Sequence, residues 1–100
     1  MISIVKVTEV LEKTSFDGKD GKVTVQPIIV ENAQGVFFVE LYDKMVTKME
    51  DQKIVKGSFV SIATKFRLSS FESKNNGATG YINHIECINI FNIAWLWNWK

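Results

Sequence analysis

The chain has 100 residues, 46% of them apolar and 23% charged, with a formal net charge of +1. That length is a single domain, at roughly 100–200 residues per domain, so a two-domain enzyme is excluded. The apolar fraction and the low net charge exclude a disordered chain and a histone-like polycation. One cysteine and one histidine exclude an internal disulfide framework and a Cys/His zinc cluster.

The opening Met1-Ile2-Ser3-Ile4-Val5-Lys6-Val7 is apolar only briefly, with Lys6, Glu9 and Glu12 interrupting it, so no signal peptide is expected. No run reaches the ~18 apolar residues of a membrane span. A cytoplasmic protein is expected, and the free Cys87 agrees with a reducing compartment.

Ile2 to Leu11 is rich in β-branched residues and reads as a strand, with a bulge expected where Ile4 and Val5 break the alternation. Ser15 to Lys22 reads as turn chemistry, with Asp17-Gly18 and Asp20-Gly21 supplying positive φ. Val23 to Val30 is a second strand, in which Pro27 marks an edge or a bulge. Glu31 to Gly35 is a turn. Val36 to Tyr42 is a third strand, with Phe37, Val39 and Leu41 facing the core and Phe38, Glu40 and Tyr42 facing out.

From Asp43 to Lys56 the period changes. Met45, Val46 and Met49 fall on one face of a short helix of about two turns. Gly57 turns the chain into a long fourth strand, Phe59 to Ser69. Its even residues Val60, Ile62, Thr64, Phe66 and Leu68 are expected inside. Its odd residues Lys65, Arg67 and Ser69 point outward, and Phe71 follows in the same phase. Lys74 to Gly80 is a hairpin loop with an Asn-Gly signal, and Tyr81 to Ile90 is the fifth strand. Three strands, a short helix and two strands is the order of the five-stranded OB-fold barrel, an all-β fold. An SH3-like barrel competes, but it does not usually need the helix.

Charge is uneven along the chain. Residues 1–43 sum to −3, residues 44–74 to +4 and residues 75–100 to zero. A near-neutral chain of this kind can still present one positive face.

From Phe37 to Ile90 the chain resembles the single-stranded-DNA-binding proteins of bacteria and phages. Phe38-Val39-Glu40-Leu41-Tyr42-Asp43-Lys44-Met45 is similar to that family's third strand, ending in an aromatic, a small residue and a lysine. Lys56-Gly57-Ser58-Phe59-Val60-Ser61-Ile62 resembles the start of its fourth strand. Arg67 to Lys74 resembles its stretch of arginine followed by an aromatic, and Gly80 to Ile85 its return strand. The amino-terminal third matches only as strand, loop, strand. Val36 stands where the family often has a base-stacking tryptophan. The chain ends in Ala94-Trp95-Leu96-Trp97-Asn98-Trp99-Lys100 in place of the family's linker and acidic tip, which points to a phage or mobile-element member, or to a relative with another partner.

The resemblance implies single-stranded DNA as partner, bound without strong sequence preference. It implies a role in protecting exposed strands during replication or recombination. Such binding needs a positive groove and exposed aromatics, at ~1–3 kcal/mol per stacked base. Tyr42 and Phe71 fall on the family's stacking positions, and Phe38 shares the face of Tyr42. The plainer reading of all three is a hydrophobic contact under the helix or a loop. Lys65, Arg67 and Lys74 are the candidate phosphate contacts, or else ordinary solvated cations. Glu40, between Phe38 and Tyr42, speaks against the platform, because a carboxylate repels phosphate.

Trp95, Trp97 and Trp99, at spacing two, share one face if extended. They read as an added packing strand or the interface of a dimer or tetramer, as base-stacking groups, or as a membrane-interface motif. His84 reads as a lone structural residue and Cys87 as a buried thiol. No cofactor, metal, small-molecule substrate, membrane partner or enzymatic activity is expected. The rival reading is an OB-fold protein-interaction or structural module with no nucleic acid partner.

Overall fold

The computed structural model describes residues 2–94. The expectations placed on Trp95, Trp97 and Trp99 lie outside those described residues. Among the latter, six strands and one helix follow in chain order: β1 (Ile2–Val10), β2 (Thr14–Gly18), β3 (Gly21–Asn32), β4 (Gly35–Tyr42), α1 (Lys44–Asp51), β5 (Phe59–Glu72) and β6 (Thr79–Asn92).

Five strands close into a ring. β1 pairs antiparallel with both β3 and β5, β3 with β4, and β5 with β6; a parallel contact between β4 and β6 completes the circuit. Closure satisfies the strand edges, which an open sheet would leave exposed. This is the expected OB-fold barrel.

A sixth strand was not expected. Thr14–Gly18 pairs with β3 alone, outside the ring, from Thr14↔Val25 to Gly18↔Gly21. The turn residues foreseen over 15–22 are confined to a tight Gly18-to-Gly21 reversal, where Gly21 takes φ +118. The bulge in β1 also differs in place. It falls between Val7 and Glu9, and the Thr8 hydroxyl there donates to the Ile29 carbonyl at 3.1 Å. Pro27 lies one residue beyond the Val10↔Ile28 pair; its carbonyl still accepts from the Leu11 N–H at 3.0 Å, and the Gln26 side-chain amide donates to the Leu11 carbonyl at 3.1 Å in place of the N–H that proline lacks.

The interior is built by alternation. Val5, Val7, Ile28, Val30, Val39, Leu41, Val60, Ile62 and Ile90 point inward and are buried. The helix closes one end with Val46 and Met49, followed by Ile54. Asp43 sets its start, accepting from the Thr24 N–H at 2.9 Å and so tying α1 to β3. Gln52 locks its end. The Gln52 amide donates to the Ile90 carbonyl at 3.0 Å and accepts from the Asn92 N–H at 2.7 Å.

Phe66 and Leu68, expected in the core, are 65% and 62% exposed. The alternation is as foreseen, but the barrel ends before they are reached. β1 covers β5 only as far as Ile2↔Ala63, and beyond that point β5 pairs with β6 alone. A bulge at Ile88 marks the departure, since Ala63 pairs with Asn89 and Thr64 with Cys87. From Thr64 to Glu72 the two strands form an arm of about 26 Å at ~3.3 Å per residue.

Candidate nucleic-acid interface

Register places the candidate residues on one outer face. Lys65 pairs with Glu86, Glu86 with Glu40, and Glu40 with Pro27, so one row crosses β5, β6, β4 and β3. Phe38 and Tyr42 lie two residues either side of Glu40 and share its face. Arg67, Ser69 and Phe71 continue the face out along the arm, opposite His84, Ile82 and Gly80. The β2–β3 hairpin bounds the platform on one side and the arm on the other.

The predicted residues meet different environments. Phe38 is 52% exposed and also lines a groove with Val36, Phe37, Phe66 and Ile85. Tyr42 is half-buried. Phe71 is 51% exposed, and its ring lies over Gly80 on the facing strand. Lys74 is exposed on the hairpin turn, beyond the other residues. That turn is held by the Ser73 N–H donating to the Ala78 carbonyl at 2.8 Å and by Gly77 at φ +69.

Lys65 and Arg67 converge on Glu86. Arg67 donates its Nε–H to one carboxylate oxygen, and Lys65 Nζ lies 3.5 Å from the other. Burial pushes the Glu86 carboxyl up, but the hydrogen bond and charge of Arg67, joined by Lys65, outweigh it and hold the group below its ordinary range. The Arg67 Nη2 also donates to the Tyr42 hydroxyl at 3.3 Å. Burial first, and then the Glu40 charge, raise the Tyr42 phenol above its ordinary value against the pull of Arg67.

Glu40 has a partner that the sequence concealed. His84 Nδ1 lies 2.7 Å from Glu40 Oε1, and His84 Nε2 lies 2.8 Å from Ser69 Oγ. A carboxylate can only accept, so Nδ1 carries a proton, while Nε2 shares a hydrogen bond with the serine hydroxyl. His84 is therefore not a lone residue. The order hydroxyl, imidazole, carboxylate is also that of an activated nucleophile. Here the tie fixes the Glu40 side chain on the platform.

Sequence reasoning missed Phe16 as well. It pairs with Val23 on the platform's outer edge and is half exposed. The alternation Thr14-x-Phe16-x-Gly18 was the available signal. It missed the apolar floor of Val25, Pro27 and Ile29 too, which β3 places beside Tyr42, Glu40 and Phe38. Among the described residues, no cluster of His, Cys, Asp and Glu is arranged to hold a metal ion. No described helix is long and apolar enough to cross a membrane.

No protein-family model matches the chain, and no curated protein matches it in sequence. Solved structures match its fold. The second OB-fold domain of replication protein A from Methanococcus maripaludis aligns with a TM-score of 0.62 at 18% identity, covering 92% of this chain and 81% of that one. A mitochondrial single-stranded-DNA-binding protein from S. cerevisiae aligns with a TM-score of 0.61 at 13% identity, covering 92% of that protein and 93% of this chain. The chain is an OB-fold domain with the architecture of these two proteins.

Proposed function

We propose that this chain binds single-stranded DNA across the outer face of β3, β4, β6 and β5. One observation carries the reading: the fold brings Phe38 and Tyr42 of β4 and Lys65, Arg67 and Phe71 of β5 onto one face between two hairpins. Bases stack on Tyr42, Phe38 and Phe71. Lys65, Arg67 and the outlying Lys74 take phosphates. Stacking is tolerant of sequence, because every base has a π-face. The two solved neighbours support the reading, one being named for binding single-stranded DNA and the other for replication.

The chain acts in this reading as a binding protein and not an enzyme, protecting exposed strands in phage or mobile-element replication or recombination. The resemblance over residues 37–90 supports that setting. A homo-oligomer joined through Trp95, Trp97 and Trp99 belongs to the same proposal. Removing residues 95–100 should lower the mass seen by light scattering, and an unchanged mass would overturn it.

A second reading, a protein-docking module, has its own observation. The opposite face of the arm exposes Phe66, Leu68 and Tyr81, an apolar patch of the kind that marks association surfaces.

Fluorescence anisotropy with a labelled oligo-dT, a duplex control and two salt concentrations separates the readings. Binding to the single strand alone, weakened by salt with a slope of about −0.7 per phosphate neutralised, is the expected result. No binding at low salt to this or any other single strand removes the DNA reading and leaves the docking module.

A further inference from the structure

We infer that Glu40 reads the edges of bases, and that the platform therefore favours strands of amino-bearing bases over strands without them. The inference rests on the proposed DNA-binding function.

Glu40 stands where a phosphate would be repelled. Its side chain is only 15% exposed, and Glu86, with another carboxylate, is its registered neighbour on β6. The cations lie to one side, on β5, and the apolar floor of Val25, Pro27 and Ile29 to the other. This polarity sorts a bound strand. The backbone follows Lys65 and Arg67, and the bases lie over β4 and β3, with Glu40 beneath them.

The carboxylate is held for that task. His84 pins one oxygen at 2.7 Å and is itself pinned by Ser69 at 2.8 Å, so little side-chain freedom remains to be lost on binding. A carboxylate offers about four acceptor positions, and His84 and the adjacent Tyr42 do not fill them. Phe38 and Tyr42 flank Glu40 at about 7 Å along the strand. A base stacked on either ring thus has its edge beside Glu40. An ionised carboxylate needs a donor there. Cytosine offers its 4-amino group and adenine its 6-amino group, whereas uracil and thymine present a carbonyl oxygen at the corresponding position, with only the single N3–H beside it.

The test compares oligo-dC with oligo-dU of equal length, since the two bases differ in the 4-amino group against a 4-oxo group. The wild-type protein should bind oligo-dC at least about fivefold more tightly, the discrimination expected of one good contact. A strand of N4,N4-dimethyldeoxycytidine, which has no amino hydrogen, should fall to the oligo-dU level, and this arm needs no variant to fold. In Glu40→Gln the ratio of the two affinities should approach one, whereas a merely structural role would weaken both strands alike. Equal or tighter binding of oligo-dU by the wild type overturns the inference, as does an unchanged ratio in Glu40→Gln. Both outcomes leave single-strand binding standing; no binding to any strand removes the function and the inference together.

Discussion

Glu86 accepts from Arg67 and also draws in Lys65, so both platform cations of β5 are paired with one carboxylate in the unbound protein. A phosphate must compete with that carboxylate for the same donors. Glu86→Gln should therefore tighten binding to a single strand by about two- to fivefold, the range of an exposed ion pair. It should also steepen the salt dependence, since two cations become free to release counterions. Anisotropy titrations at several salt concentrations check both. Weaker binding would show instead that Glu86 holds the two cations in place for DNA.

The same ion pairs set an acid limit on stability. The Glu86 carboxyl lies below its ordinary range in the fold, because Arg67 and Lys65 outweigh the effect of burial. Its contribution is fully present above the unfolded-state value of about 4.3 and is lost as pH falls through the lower folded value. Arg67 and Lys65 are both largely exposed, so solvent screening limits the effect to about 1 kcal/mol or less. Urea unfolding at neutral pH and near pH 3 should show the wild type losing more stability than Glu86→Gln. Equal losses would leave Glu86 out of the acid response.

Phe71 keeps its place over Gly80 because no side chain stands between them. A Cβ built at Gly80 falls 2.7 and 2.9 Å from the Phe71 Cε1 and Cε2 atoms, closer than real Cβ contacts come. Gly80→Ala must turn the ring away. Loss of one stacking position is worth ~1–3 kcal/mol, so binding should weaken at least about fivefold. The urea midpoint should scarcely move, because the arm lies outside the ring. A variant that binds normally would remove Phe71 from the platform.

The ring was legible because alternation is written locally. Val39 and Leu41, or Val60 and Ile62, announce their inward face without reference to any other strand. Phe66 and Leu68 announce the same phase, but whether a phase meets a core depends on where β1 stops, which β5 does not encode. The site divides in the same way. Tyr42, Lys65, Arg67 and Phe71 could be placed by strand phase and by resemblance. The tie between Glu40 and His84 joins residues 44 positions apart, through a parallel contact that neither strand announces. Thr14–Gly18 was hidden by its Asp and Gly residues, which read as a loop even though they form the end of a hairpin.

Gln52 is the polar joint between the helix and β6. It and Asn92 are almost fully buried, and Asn92 donates to it twice, its N–H to the Gln52 side-chain oxygen and its side-chain amide to the Gln52 carbonyl. Gln52→Ala would leave the Ile90 carbonyl and the Asn92 N–H buried without their present partner, at ~1–3 kcal/mol for each. A loss of about 2–6 kcal/mol in urea unfolding is expected. DNA binding below the melting range should be unchanged, since the platform residues make no contact with this joint. A near-neutral variant would mean that water replaces the amide.

Cys87 tests how tightly the barrel closes where the arm begins. Burial pushes its thiol up to about 11, against the opposing effects of Asn89 and the Lys48 charge. Against an ordinary value of 9.0, that leaves about 100-fold less thiolate at pH 8. Iodoacetamide should therefore label the native protein at least about 100-fold more slowly than the urea-unfolded chain. The sign for stability is opposite to that of Glu86. The fold favours the neutral thiol, so its contribution is complete below the unfolded value and fades as pH rises from about 9 toward 11. Cys87→Ala should lose this alkaline decline while paying for the missing sulfur at every pH. Rapid labelling of the native protein would mean that the strands around the Ile88 bulge open readily, and that the arm and barrel are not one cooperative unit.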